Sequence, residues 1–369
     1  MSSGLETWRV EARDFPVSGS DREKLQFLVN YAVLAPSKCN AQPWLFEICG
    51  DSLDLICDRH WAFREVDPAG RELIMSCGAA LLNLMVAAAH FGYGTRVQTF
   101  PWPGVKYLLA RVRLAVLTPG EERTSTAPGT LGAGGGTGPA QSPLGGVLDR
   151  EELFVAMQRR CTSRRHFERR MPAAETLAGF AQAMTPCQAW LHWLDHQSTR
   201  RKVVELVGRG DREQMANKPL RSELARWLQR PHAAPCEGYP ASRFGLHGPM
   251  QWLAPGVGLG LRALDLGHLV AYRDRRLAQE GPVLGVLGTA QDTPGDWLAA
   301  GQALELLWLL ATAAGLSISV FSQPTEMPHL RAELTRIIGT SGSPQVLFRL
   351  GYGARDEHTP RRPTTEVVI

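Results

Sequence analysis

The sequence predicts an α+β protein that is internally duplicated, with a mixed or antiparallel sheet and packed helices around a long buried helix in each half. Two observations predict this fold class. The segment "GAALLNLMVAAAHFGYGTRVQTFP", from Gly78, matches "GQALELLWLLATAAGLSISVFSQP", from Gly301. Each segment is an apolar helix followed by a strand pattern, and Gly92 and Gly315 end the two helices at the same spacing. Matching glycines, a matching proline and a downstream strand in both copies favour duplication over chance similarity.

The first half opens with a helix and a hairpin. Ser20 followed by Glu23 is a capping-box pattern before an apolar helical face. Pro36 stops that helix, because the residue before a proline disfavours helical backbone. The segment "LFEICGDSLDLICD" then predicts a β-hairpin with Gly50 and Asp51 at its tip.

Composition shifts along the chain predict its domain organisation. Residues 1–117 form the first half and residues 147–369 the second. Residues 118–146 are rich in Gly, Pro, Ser and Thr and predict a flexible linker between the halves. An insertion at about 208–260 could form a lid within the second half.

The overall composition is that of a soluble globular protein, with 369 residues, 44% apolar residues and a net charge of +4. No dense Lys/Arg run appears, so nucleic acid is not expected as a partner. The seven cysteines form no C-x-x-C pair, which favours a reducing compartment. The first residues show no signal-peptide pattern, and the apolar helix with Gln302 and Glu305 favours a core helix over a membrane span. We therefore expect a cytoplasmic protein without membrane partners.

Candidate anion-binding residues occur at two places in the second half. Arg160, Thr162 and Arg164 alternate in "RCTSR", so an extended backbone would point all three to one side. Two guanidiniums and a hydroxyl suit a phosphate group, whereas a basic surface strand is the alternative. Arg361 and Arg362 in "TPRRPTTEVV" form either a second anion site or a surface pair.

No metal site is predicted. His192 and His196 have an i, i+4 spacing, but no convincing third ligand accompanies them, so surface histidines are the favoured interpretation. Cys236 and Ser242 have no His–acid pair that the sequence identifies. No catalytic residue is therefore assigned.

The motifs resemble those of the FMN-dependent nitroreductase superfamily. "APSKCNAQPW", residues 35–44, resembles its A-P-S-x-x-N-x-Q-P-W signature, and "RCTSR" resembles its R-x-[ST]-x-[RK] phosphate motif. The first half has only the former motif and the second half only the latter, together with the terminal Arg pair. This division resembles the Acg-type branch, in which one chain is similar to a fused nitroreductase dimer. The resemblance implies a nitroreductase-like fold, a pseudo-dimer within one chain that could be monomeric, and one FMN.

The resemblance also implies which residues hold the cofactor. The FMN phosphate would be held by Arg160, Thr162, Arg164, Arg361 and Arg362. The ring and ribityl chain would be lined by Pro36, Ser37, Lys38 and Asn40, while Ser322 and Gln323 match the turn whose backbone N–H meets flavin N5. Lys38 stands where many relatives have Ser, and a cation there would stabilise the reduced, anionic flavin.

Three functions are compatible with these motifs. An oxidoreductase would pass a hydride through flavin N5 to or from a small organic substrate, with NAD(P)H as a candidate donor. A flavin-storage protein would instead cover FMN with the insertion and show little NAD(P)H-dependent activity. An oxidase-type enzyme would take a hydride from its substrate and return the electrons to oxygen. The enzyme is the favoured hypothesis.

Overall fold

The computed structural model describes residues 4–116 except 103 and 106, residues 150–227, residues 236, 238, 256 and 260, and residues 265–369. The predicted linker at 118–146 lies outside the described residues, as does most of the predicted insertion beyond residue 227.

The first half contains two helices and one antiparallel sheet. Its elements are α1 (Asp21–Ala32), β1 (Trp44–Cys49), β2 (Ser52–Cys57), α2 (Arg71–His90), β3 (Tyr93–Thr99) and β4 (Leu108–Val116). The sheet order is β1-β2-β4-β3. Ser20 and Glu23 form the predicted capping box, and Gly50 at the hairpin tip has a φ of 62°. The predicted helix and hairpin are confirmed.

The second half repeats this topology with additional helices. Its elements are α3 (Arg150–Arg159), α4 (Ala174–Met184), β5 (Ala189–Trp193), α5 (Gln197–Ala216), α6 (Lys218–Arg226), α7 (Gly267–Glu280), β6 (Val283–Thr289), α8 (Pro294–Ala313), β7 (Ser317–Phe321), α9 (Pro328–Ile338) and β8 (Ser343–Gly351). The sheet order β5-β6-β8-β7 is the same as in the first half. Gly208, the start predicted for the insertion, lies inside α5, and the extent of the insertion stays a prediction.

The two central helices cross at a point of close, reciprocal contact. A Cβ atom on Gly78 of α2 would overlap the carbonyl oxygen of Leu298, and one on Gly301 of α8 would overlap that of Met75. Gly78 and Gly301 are 223 residues apart, and so are Met75 and Leu298. Reciprocal contact of this kind is the property of a two-fold interface. The duplicated architecture is therefore confirmed, with a pseudo-two-fold relation between α2 and α8.

The core is built around these two helices, and the chain ends interlock the halves. Among the described residues, Arg71–His90 has the length and hydropathy of a membrane span, but 89% of its most apolar stretch is buried inside the protein, as in a core helix. At the C-terminus, Val368 pairs in parallel with Phe46 of β1, and the Ile369 N–H donates to the Phe46 carbonyl at 2.9 Å. The end of the second half is thereby held on the sheet of the first.

Candidate functional site

A cavity of about 340 Å³ lies between the halves and is lined by side chains of both. Nine of the eleven predicted site residues line it: Pro36, Ser37, Lys38, Asn40, Arg160, Thr162, Arg164, Ser322 and Arg361. Its apolar wall includes Met75 and Ala79 of α2 and Leu304 and Trp308 of α8. The two motifs that are more than a hundred residues apart in the chain therefore meet at one place.

Residues 37–42 form a tight loop that fixes the first-half contribution to the cavity. Cys39, Asn40 and Gln42 have φ values of 51°, 56° and 51°. The left-handed region costs a residue with a side chain roughly 1–2 kcal/mol. Ser37 offsets part of this cost, because its Oγ accepts from the Gln42 N–H and its carbonyl accepts from the Asn40 N–H, both at 3.0 Å. The motif residues are thus needed for the loop shape as well as for the cavity lining.

The C-terminal part of the second half stabilises the same loop. The Asn40 Nδ2 donates to the carbonyl of Cys236 at 2.8 Å, and its Oδ1 accepts from Arg361 Nη1 at 2.7 Å. The Gln42 side chain donates to the same Cys236 carbonyl at 2.7 Å and accepts from the Arg362 N–H at 2.8 Å. Asn40 and Gln42 therefore join the two halves at the edge of the cavity.

A carboxylate of α6 supports the outer side of this region. Glu223, 8% exposed, accepts from the backbone N–H groups of Arg64 at 2.7 Å and of Glu65 and Val66 at 3.0 Å. Beside it, Leu220 packs in one apolar cluster with Cys39, Ala41, Phe63 and Val66. The second half therefore holds the loop at its outer surface as well as at its C-terminal edge.

Two arginines lie side by side at one end of the cavity. Arg160 and Arg361 are only 2% and 3% exposed, and they donate to the same carbonyl oxygen, that of Leu34, at 2.8 and 3.3 Å. Glu305 of α8 is fully buried, and its Oε1 lies 3.3 Å from Arg160 Nε. Two guanidiniums next to one carboxylate leave an excess of positive charge, so this end of the cavity suits an anion.

The Glu305 carboxyl titrates near neutral pH. Burial raises its pKa to about 7, against the lowering effect of the Arg160 and Arg361 charges. Burial, followed by the charge of Arg160, lowers the pKa of Arg361. With its amide oriented to satisfy both polar atoms, Asn83 donates to Glu305 Oε1 at 3.0 Å and accepts from the Ala35 N–H at 3.1 Å. The charge at the arginine end therefore depends on pH.

The segment after Arg160 is extended, as its alternation predicts. Thr162 pairs in parallel with Ile318 of β7, and the Ser163 N–H donates to the Ile318 carbonyl at 3.2 Å. Ser163 is fully buried, whereas Thr162 and Arg164 are partly exposed and line the cavity with Arg160. Pairing with β7 therefore brings this segment to the cavity, although Cys161 and Arg165 line it as well and the alternation is not strict.

Lys38 lies among carboxylates in the cavity wall. Its Nζ is 2.9 Å from Glu72 Oε2, forms an ion pair with Glu326, and donates to Ser322 Oγ at 3.3 Å. The Lys38 side chain is 9% exposed. The expected cation is present, but it is accompanied by two negative charges.

Arg362 departs from its predicted position. Its Nη1 donates to the Gln42 carbonyl at 3.3 Å and its Nη2 to that of Glu366 at 3.0 Å, and it does not line the cavity. Arg361 lines the cavity, whereas the neighbouring Arg362 side chain points to the Gln42 and Glu366 carbonyls. Arg362 therefore braces the 37–42 loop in this structure, and its assignment as a phosphate contact stays a prediction.

The Gln323 side chain also lies outside the cavity lining. Its Nε2 donates to Asp211 at 2.6 Å and to Asp274 at 3.2 Å. Gln323 is the first residue of the helical turn Gln323–Glu326, where a backbone N–H has no acceptor within the helix. A role for this N–H toward a ligand stays a prediction.

Three residues of the site are absent from the sequence-based assignment. Trp8 stacks on His358 with ring centroids 4.0 Å apart, and both line the cavity. Burial, followed by the charges of Arg160 and Arg361, lowers the pKa of His358 to about 4, so this imidazole is neutral at pH 7. Glu305 had a usable signal, since a lone carboxylate inside an apolar helix is an informative exception. Trp8 and His358 had none, because only folding brings them together.

No protein-family model matches the chain. Comparison with known proteins nevertheless defines a class: the chain is homologous, over more than nine-tenths of its length, to proteins provisionally named as NAD(P)H nitroreductases. This homology confirms the predicted relation.

Two of these relatives are proteins of Mycobacterium tuberculosis. Rv3131 is 28% identical over 94% of this chain and 92% of its own length. Acg is 25% identical over 92% of this chain and 93% of its own length. Among solved structures, a nitroreductase homologue from Anabaena variabilis aligns with 95% of this chain and 91% of its own, at 10% identity and a TM-score of 0.42. NfnB of Sphingopyxis, described as an FMN- and NADPH-dependent nitroreductase, aligns with 59% of this chain and 97% of its own, at 18% identity and a TM-score of 0.39.

Proposed function

We propose that the protein is an FMN-dependent oxidoreductase of the nitroreductase type, with one FMN per chain and NAD(P)H as the hydride donor. One observation supports this most directly. The Arg160–Arg164 segment and Arg361 of the second half line the same cavity as the 36–40 loop of the first. The split motifs of a fused dimer require this juxtaposition.

The arginine end fits a phosphate monoester. Arg160, Arg361, Arg164 and Thr162 all line the cavity, and Glu305 is the buried carboxylate paired with Arg160. Within the described part of the chain, Arg361 Nε has no hydrogen-bond acceptor. A phosphate would accept from these donors and balance the excess positive charge. Arg160 and Arg361 would hold it, with Thr162 and Arg164 beside them.

The remaining wall fits a flat, largely apolar ring. Met75, Leu304, Val320 and Val346 line it, and the Ser322 turn and Lys38 supply polar groups at one edge. Bound there, FMN would supply two-electron hydride chemistry that the side chains themselves lack. The chain's own part is to hold the phosphate, orient the ring through the strained loop and keep both in a fixed position.

The relatives favour an enzyme over a storage protein, since Rv3131 and Acg are named for NAD(P)H-dependent reduction. The predicted lid that a storage protein would need lies mostly outside the described residues. We therefore also propose that a small organic molecule binds next to the FMN and accepts the hydride.

An anaerobic absorbance titration tests the proposal. Protein saturated with FMN should hold one FMN per chain, and NADH or NADPH should bleach it rapidly. Two FMN per chain, or tight FAD binding in place of FMN, would contradict the site assignment. One bound FMN that dithionite bleaches but NAD(P)H does not would indicate storage. Bleaching by an organic substrate alone would indicate an oxidase.

A further inference from the structure

Lys38, Glu72 and Glu326 form a buried charge cluster, here called the Lys38 triad, at the edge of the cavity that Lys38 and Glu72 line. The Lys38 Nζ lies 2.9 Å from Glu72 and forms an ion pair with Glu326. The three side chains are 9%, 12% and 3% exposed. They come from the 37–42 loop, from α2 and from the turn after β7, so only the folded protein assembles them.

The carboxylates around Lys38 cancel its charge. Arg71 approaches the other oxygen of Glu72 at 3.3 Å, while both carboxylate oxygens of Asp67 accept backbone N–H groups at the start of α2. Burial, followed by the charge of Glu72, raises the pKa of Asp67. Apart from Asp67, two cations, Lys38 and Arg71, face two carboxylates, Glu72 and Glu326. Because the side chains are buried, solvent screens these charges much less than it would at the surface. Lys38 therefore brings no net positive charge to this edge of the cavity.

The position of the triad determines what it acts on. A phosphate held by Arg160 and Arg361 occupies the arginine end, which leaves the apolar wall and the Lys38 edge for the ring of the cofactor. A flavin gains negative charge when it is reduced, so a lysine whose charge is cancelled by carboxylates stabilises the reduced flavin less than an unopposed ammonium would. This removes the basis of the expectation, drawn from Lys38 alone, of a site that stabilises the reduced, anionic flavin.

We propose that Glu326 and Glu72 are tuning residues that lower the reduction potential of the bound FMN by offsetting the Lys38 ammonium. The proposal rests on the proposed function, because it requires FMN in this cavity. A low potential favours passing electrons from the flavin to an electron-poor acceptor over extracting a hydride from a substrate. The triad therefore favours a reductase over the oxidase-type alternative.

The test uses FMN-loaded protein and measures the midpoint potential against a reference dye, together with FMN stoichiometry. Glu326→Gln should shift the potential to a more positive value, since it removes the most buried carboxylate of the triad. Glu72→Gln should shift it in the same direction by less, because Glu72 is more exposed and is shared with Arg71. Lys38→Met should shift it to a more negative value. The matched control, Glu333→Gln, removes a carboxylate of α9 that is paired with Arg209 away from the cavity, and should leave the potential unchanged.

The outcomes distinguish a failure of this proposal from a failure of the proposed function. If FMN does not bind at all, the proposed function fails and the tuning role fails with it. If FMN binds once per chain but both glutamine variants keep the wild-type potential, the triad does not face the ring and the inference is wrong. A positive shift in Lys38→Met would also overturn it. Glu72→Gln provides an independent measurement if Glu326→Gln does not fold.

Discussion

The two sides of the α2–α8 crossing are related by the internal duplication, yet one side is open and the other is filled. On the open side, Ala79 of α2 faces the cavity together with Trp308 of α8. The positions 223 residues away are Gln302 and Met85. Gln302 is 1% exposed, and its Nε2 lies 3.7 Å from the Met85 sulfur. Ala79 lines the cavity, whereas its counterpart Gln302 is a larger side chain that is buried against Met85.

The charged groups differ in the same way. Glu305 pairs with Arg160 beside the cavity, whereas its counterpart in α2 is Leu82, which is buried in the core. The connection before β1 is the long 33–43 segment with the motif loop, while the connection before β5 is only residues 185–188. The charged pair and the motif loop therefore occur on only one of the two sides related by the duplication, within the described residues. For this reason we expect one FMN.

The largest effect is expected from copying the filled side onto the open one. Ala79→Gln would place a long polar side chain in the cavity, as Gln302 does on the other side, and should weaken FMN binding by about 3 kcal/mol. Quenching of FMN fluorescence during titration measures this loss. The matched change Gln302→Ala should leave one FMN per chain. A second bound FMN in Gln302→Ala would show that only this residue separates the two sides.

A somewhat smaller effect is expected at the arginine end. Arg160→Ala should weaken FMN binding by roughly 1.5–3 kcal/mol, the range for hydrogen bonds to charged groups. Arg201→Ala, on the exposed face of α5, should have little effect in the same titration. Equal FMN retention by the two variants would show that the phosphate is held elsewhere.

Substitutions at the two equivalent glycines of the helix crossing, Gly78 and Gly301, should lower the unfolding free energy by similar amounts. A methyl group at Gly78 or Gly301 would overlap the facing carbonyl oxygen and force α2 and α8 apart. Each Gly→Ala change should cost about 1–3 kcal/mol of unfolding free energy, partly offset by the better helix propensity of Ala. Urea unfolding measures both costs. A large cost at one glycine and none at the other would argue against the pseudo-two-fold crossing.

The smallest expected effect is the pH dependence of the thermal stability. Burial raises the pKa of Glu305 to about 7, so the folded protein binds this proton more tightly than the unfolded chain does. The stabilisation from the protonated carboxyl is complete below the unfolded pKa, declines as the pH rises, and is lost once the pH passes about 7. Without FMN, the Tm of wild type should therefore fall more between pH 5 and 8 than that of Glu305→Gln. Parallel Tm profiles would contradict the raised pKa.

Several features of the fold and site could be predicted because they depend on neighbouring residues in the chain. The capping box at Ser20 and Glu23, the hairpin turn at Gly50 and the alternation of Arg160, Thr162 and Arg164 are local properties. The composition of the predicted insertion did not reveal that α5 and α6 cover its first part. At Arg361 and Arg362, a pair of adjacent arginines does not indicate which side chain lines the cavity, and only Arg361 does.

The sequence by itself determined the duplicated α+β architecture, the relation to nitroreductases and the location of the two half-motifs. Only the tertiary structure decided what surrounds Lys38, why Arg361 rather than Arg362 faces the cavity, and which side of the α2–α8 crossing is open. The physical reason is the range of the interactions. Caps, turns and periodicity are set within a few residues. Lys38, in contrast, pairs with Glu72 and Glu326, which lie far from it in the sequence. The charge of a buried site is therefore known only when residues from both halves have been brought together.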